Sequence, residues 1–376
     1  MLARRLCVLV LVLLTAASAS AQDQPSSTES TASSPAFDGF GPWEPIGFVP
    51  VDQAGAGRRG YAISGESAGV LRPGASELSL HTVAANNFYQ DQADLYSISQ
   101  RDETHSLALG YRRGFAFRRW PRFEFGGQIQ LHERDAGFLN GFISGFESLW
   151  VSLTGHASAK NKLRGEDGAL VPLGTVVTER SRLLYQASGD DSGFGDLRFI
   201  AKTVLRDSTP SSGGTRVAAR VALNVSGTSS FTEGNFAGFG LSVDKKVRSW
   251  VALHGDVRAS ILFDRTSLWN LPLKRTALGF SLGPEIKLTA NNSLSLQFDG
   301  NSTPYLSTGT AAFDDSYGSI TFGLSRRMSA RGVPLLVQAY ARENLILPFQ
   351  VRWNTDPDLA VGIKITAHIR NGQRSR

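Results

Sequence analysis

The strongest constraint in this chain is a period of two. Residues 216–225 read RVAARVALNV, in which Val217, Val221, Leu223 and Val225, with Ala219 between them, alternate with Arg216, Arg220 and Asn224. Successive side chains of an extended strand point to opposite faces, so one face here is apolar and the other basic. The parity recurs. In GDLRFIAKTVLR, Leu197, Phe199, Ala201 and Leu205 oppose Asp196, Arg198, Lys202 and Arg206. In WVALHGDVRASILF, Val251, Leu253, Val257, Ile261 and Phe263 oppose His254, Asp256, Arg258 and Ser260.

The alternation marks about twelve strands: 76–86, 103–113, 122–133, 195–206, 215–227, 236–247, 250–263, 274–288, 292–300, 316–328, 333–344 and 358–369. The number is even, and most of the segments are long enough to cross a bilayer when tilted. Parity alone does not say which face is inside; the connections do. Short turns at 114–121, 207–214, 248–249, 289–291 and 329–332 alternate with longer loops at 87–102, 134–194, 228–235, 264–273, 301–315 and 345–357. Outer-membrane barrels have this asymmetry, and both termini then fall on the short-turn side. Arg113, Lys245 and Arg326 interrupt the apolar face only near short turns, where a basic side chain can snorkel. Phe115, Phe117, Trp120 and Trp250 lie where an interfacial aromatic girdle is expected. The expected fold is all-β, a transmembrane antiparallel up-and-down β-barrel of about twelve strands, lipid-facing on its apolar side.

The chain opens MLARRLCVLVLVLLTAASASAQ, with Arg4 and Arg5 before an apolar run and Ala19-Ser20-Ala21 after it. This reads as a cleaved signal peptide over 1–21, too short to span a bilayer as a helix. Export to the bacterial outer membrane is the expectation. Cys7, the only cysteine, would leave with the signal, so the mature chain offers no thiolate ligand or nucleophile. Residues 22–36 are a polar, low-complexity lead. Residues 37–75 are rich in glycine, proline and aromatics and read equally as a periplasmic arm, a plug or an extra hairpin. The barrel domain follows over 76–370, with loop 134–194 on its outside.

From Leu71 to Ile369 the chain resembles an uncharacterised family of Gram-negative outer-membrane barrels, a family of unknown function. The cues are LRPGASELSL leading to Asn87-Phe88, GFLNGFISGF (137–146), FGDLRFIAK (194–202), NSTPYL (301–306) and REN…DPDLAVGI (342–363). In the segment matching 137–150 the family carries Asp and His, where this chain has Asn140 and Glu147. The resemblance implies a fold and a location but no activity.

With polar parity inside, the lumen would be lined by Arg198, Lys202, Arg216, Arg220, Asp256, Arg258, Arg275, Glu285, Arg342 and Lys364, among others. Basic side chains outnumber acidic ones there, in a chain of net charge +6, so an open lumen would favour anions. Interleaved ion pairs could equally fill so narrow a barrel. In loop 134–194, Phe138, Phe142, Phe146 and Trp150 recur at helical spacing and suggest either a constriction or a helix packed on its own loop. The function expected is a narrow channel for small, anionic solutes. One alternative is a non-conducting structural or surface-binding barrel acting through its external loops. The other, disfavoured, is a lipid-modifying enzyme, because no nucleophile and base share a plausible face and His156-x-Ser158 falls in a loop. No cofactor or metal is expected, and no compact basic run suggests nucleic acid. The partners expected are outer-membrane lipid, periplasmic chaperones and the barrel-assembly machinery.

Overall fold

The computed structural model describes residues 45–49, 63–92, 94–118, 120, 122–135, 174–187, 191–208, 214–227, 229–232, 234–309, 311–314, 316–344 and 359–370. The expected signal peptide, the polar lead, His156 and the stripe Phe138, Phe142, Phe146 and Trp150 lie outside the described residues.

Fourteen strands form one antiparallel sheet: β1 (Ala75–Gln92), β2 (Tyr96–Phe115), β3 (Phe123–Asp135), β4 (Gly174–Glu179), β5 (Arg182–Ala187), β6 (Asp191–Asp207), β7 (Thr215–Val225), β8 (Phe236–Arg248), β9 (Val251–Leu262), β10 (Thr276–Lys287), β11 (Asn292–Asn301), β12 (Tyr317–Ala330), β13 (Val333–Asn344) and β14 (Leu359–Arg370). Neighbours in sequence pair in turn from β6 to β14, and β3 pairs β6 across the long loop. The sheet then closes: β1 pairs β2 on one side and β14 on the other, from Ala75↔Arg370 to Asn86↔Leu359. Twelve strands make the barrel, and they are the twelve expected from the alternation. Closure leaves no barrel strand with an unpaired edge.

Two expectations about the loops are corrected. Residues 87–102 are not a long loop: β1 and β2 go on pairing beyond the barrel, out to Gln92↔Ser97. Above a hydrocarbon layer a strand no longer needs an apolar face, so polar residues there continue the ladder. Loop 134–194 is not strand-free either. It contains the hairpin β4–β5, and β4 pairs Tyr96–Arg101 of the extended β2. A four-residue helix, α1 (Ala311–Asp314), sits in the loop between β11 and β12.

The two faces separate by chemistry. Val257, Leu278 and Leu282 are more than half exposed, and Val221, Leu223, Phe239, Phe280 and Leu324 are exposed with them. Lys202, Arg216, Arg220, Asp256, Arg258 and Glu285 are buried. A soluble barrel would have the opposite polarity, since so continuous an apolar surface is not tolerated in water. Val217, Val221, Leu223 and Val225 therefore look outward, and Arg216 and Arg220 inward. At the short-turn rim Phe117 packs edge-on against Phe123 and Trp120 stacks on Phe123, while Arg113 lies 5.8 Å over the Phe115 ring.

The long-loop end carries the largest apolar core. Trp269, Leu271 and Leu273 from the β9–β10 loop, Tyr305 and Phe313 from the β11–β12 loop, and Tyr96, Ile98 and Val177 from the hairpin side cluster over Phe236, Leu262 and Ala277. Trp269 is fully buried between Tyr185 and Phe313 (ring centroids 6.2 and 6.0 Å). The loops form a hydrophobic lid over that end.

Candidate functional site: the lumen and the segment inside it

The interior is defined by what enters it from the N-terminal side. Of the three readings open for residues 37–75, the described parts take up that of a plug. Residues 45–49 and 63–71 lie within the barrel. Ile46 and Gly47 donate their N–H groups to Glu285 Oε2 (2.8 and 2.9 Å), near the short-turn end of β10. Phe48 then sits 5.6 Å from the His254 ring, and Val49 is buried with Val83, Ala85, Tyr340 and Ala360 higher in the lumen. The returning arm starts high and descends. Ile63 belongs to the lid core, the Ala68 N–H donates to Asp244 Oδ2 (2.8 Å), and the Leu71 N–H donates to Glu124 Oε2 (2.8 Å) beside the start of β3.

Wall carboxylates thus hold the backbone of the plug, and His254 braces two of them. Its Nδ1 meets Asp244 Oδ1 at 2.8 Å and its Nε2 meets Glu285 Oε2 at 3.0 Å. The plug returns one charge of its own. Glu66 takes a two-pronged contact from Arg112 (Nη2–Oε1 2.6 Å, Nη1–Oε2 3.1 Å), with Lys202 Nζ at 3.2 Å and Arg220 Nη1 at 3.9 Å. Burial alone would raise the Glu66 carboxyl, but Arg112, Lys202 and Arg220 outweigh it and hold the group well below the usual carboxylate range.

The wall opens slots for the plug. A Cβ at Gly238 would stand 2.5 Å from Ile63, and one at Gly323 would stand 2.4 Å from Val49. Only glycine lets these apolar anchors come so close to the sheet. Gly238→Val is therefore expected to expel Ile63 and loosen the plug while the ladder stays paired. Limited proteolysis within 50–62 should quicken, and an unchanged cleavage rate would mean that Ile63 does not anchor it.

The lumen residues picked from parity fall into three groups. Arg198, Lys202, Arg216, Arg220, Asp256, Arg258, Glu285 and Arg342 are all buried inside. Lys364 is half-buried and lines a cavity of about 40 Å³ that also meets Arg198, Arg220, Arg112 and Glu66. That is room for roughly three waters. Arg275 is corrected: it precedes β10 and is exposed at the rim, outside the strand register that would have turned it inward.

The expected excess of positive charge is largely paired. Arg220 and Arg258 share Asp256 (3.0 and 3.2 Å), Arg258 also reaches Asn301 and Ser281, and Arg216 meets Asp207 at 3.3 Å. Arg198 bonds Asn224 at 3.3 Å and Arg342 bonds Ser319 at 2.8 Å.

One pairing was missed in the sequence. Ser106 and His132 are directly opposed on β2 and β3, and Ser106 Oγ lies 2.7 Å from His132 Nδ1. A serine and a base do share a face. Nε2 of the same ring lies 3.3 Å from the amide oxygen of Gln130, and the ring stacks on Phe231. The pair is packed into the wall between β2 and β3, beneath the Phe231 ring. Among the described residues no group of three or more His, Cys, Asp or Glu could hold a metal ion.

No protein-family model matches the chain, so the uncharacterised barrel family stands as a resemblance, and no curated protein matches it either. Among solved structures it is similar to the COG4313 outer membrane channel from Pseudomonas putida F1, at 13% identity and a TM-score of 0.50, over 80% of this chain and 97% of that one. The NanC porin aligns over 77% of this chain and 98% of its own, at 7% identity and a TM-score of 0.38. At such identity the first likeness speaks for fold alone. The fold and the outward apolar belt define a closed twelve-stranded antiparallel β-barrel of the outer-membrane class.

Proposed function

We propose that this protein is an outer-membrane channel for small, anionic solutes, kept shut by its own residues 45–49 and 63–71. The observation that carries the reading is how the segment is held. Beside the apolar anchors Val49 and Ile63 it is held by polar contacts, namely backbone N–H groups on Glu124, Asp244 and Glu285 and the single carboxylate of Glu66 on wall cations. Water and ions can replace such contacts in a wet lumen, so each is worth only about 1.5–3 kcal/mol net. Arg198, Lys202, Arg216, Arg220 and Arg258 supply the field that selects anions once the plug withdraws.

The test is planar-bilayer recording under a salt gradient, with the double charge reversal Arg198→Glu and Arg220→Glu beside the unaltered chain. Anion-selective openings whose reversal potential moves toward cation selectivity in the variant are expected. Openings with unchanged selectivity would remove these arginines from the path. Complete silence of both would favour a second reading, a non-conducting barrel that binds through its outer loops, for which the Trp269 lid is the supporting feature.

A further inference from the structure

We propose that Arg112, Lys202 and Arg220 form a binding site for an organic carboxylate, and that Glu66 occupies it as a tethered stand-in for the solute. The inference rests on the channel reading, and it names the class of solute. Three cations from β2, β6 and β7 converge on one carboxylate, with Arg112 presenting both guanidinium prongs to it. That planar two-point fit suits a carboxylate, which is why arginine rather than lysine usually supplies it.

The cations are unequally provided for by the wall. Arg112 also has Glu124 at 3.1 Å and Arg220 also has Asp256 at 3.0 Å. Lys202 is buried, and its one ion pair among the described residues is with Glu66. Arg220 keeps Nε and Nη1 buried without a hydrogen-bond acceptor among the described residues, and Nη1 stands 3.9 Å from Glu66 Oε2. When Glu66 leaves, a buried ammonium and a spare guanidinium donor remain around a carboxylate-sized vacancy. Leaving them empty is costly, so an arriving carboxylate is favoured there. The adjoining 40 Å³ cavity has Ala108, Ile200 and Ala222 on its wall beside Arg198 and Lys364, which gives a short organic tail somewhere to lie.

The test uses the full chain with Glu66→Ala, which empties the site and keeps the other latches, and with Glu66→Gln should the first not fold. Acetate is titrated against chloride and inorganic phosphate at matched ionic strength while thermal unfolding is followed. Acetate should raise the midpoint of Glu66→Ala saturably, by about 2–4 °C, and leave the unaltered chain unmoved. Adding Lys202→Met should abolish the rise, and adding Lys202→Arg should keep most of it. An equal rise with chloride, a larger one with phosphate, or a rise indifferent to Lys202→Met would overturn the proposal. Bilayer recordings of the same variants separate the two readings. Silence there with an intact acetate effect defeats the channel but not the site, and conduction without an acetate effect does the reverse.

Discussion

Removing residues 45–70 from the chain is expected to turn a mostly silent barrel into one that conducts steadily. Hydrogen bonds to charged groups contribute about 1.5–3 kcal/mol each. Four wall-to-plug contacts of that kind are present, at Glu124, Asp244, Glu285 and Glu66. Even two of them acting together keep the segment out of the lumen only about 1% of the time or less. Open occupancy in single-channel records should therefore rise about a hundredfold or more on deletion. The wall carboxylates and cations left behind would be solvated by incoming water, so the barrel should remain folded by its strand signal in circular dichroism. A folded deletion variant as silent as the full chain would show that the lid, rather than the plug, sets conduction.

Acid is expected to open the same gate. Glu66 is on the plug rather than on a barrel strand, and the groups facing it are Arg112 on β2, Lys202 on β6, Arg220 on β7 and, more weakly and with opposite sign, Glu77 on β1. Docking lowers its carboxyl well below the ordinary value. The docked state therefore gains full stabilisation from this group above the ordinary carboxylate range. That gain is lost as pH falls toward the lowered, docked value, and each unit of difference is about a tenfold change in the docking constant. Open occupancy should climb steeply below about pH 4.5. With Glu66→Gln the curve should start higher and flatten, since the titrating group is gone. A steep acid response that survives Glu66→Gln would assign it to the wall carboxylates instead.

The barrel could be read from the sequence because lipid on one side and a polar lumen on the other impose strict alternation. Each of the twelve strands repeats that parity, as Val221, Leu223 and Val225 do against Arg220 and Asn224. The hairpin β4–β5 was hidden for a physical reason. Its turn residues Arg180 and Ser181 both have positive φ (46° and 66°), where a two-residue turn normally shows Asn or Gly. The plug was hidden differently, because its recognition runs through backbone N–H groups, which every residue but proline carries. One signal was available. Glu66 is the sole acidic residue between Asp52 and Glu77, in the small-residue run ISGESAGV, a carboxylate on a stretch thin enough to enter a narrow barrel. The ion-paired interior was half legible: parity put the arginines and carboxylates inside, but not which of them would face the plug.

Both arms of the plug have their outer ends at the same rim. Ile46 is tied beside the end of β10 and Leu71 beside the start of β3, while Val49 and Ile63 reach the middle and upper lumen. The plug, in its described parts, thus runs up from that rim and back down to it. It can be seated after β14 has closed on β1, and it can leave and return with the cylinder intact. Tension applied from the rim would load the contacts one after another, as in unzipping, so a weak pull could clear a lumen that resists a sudden one.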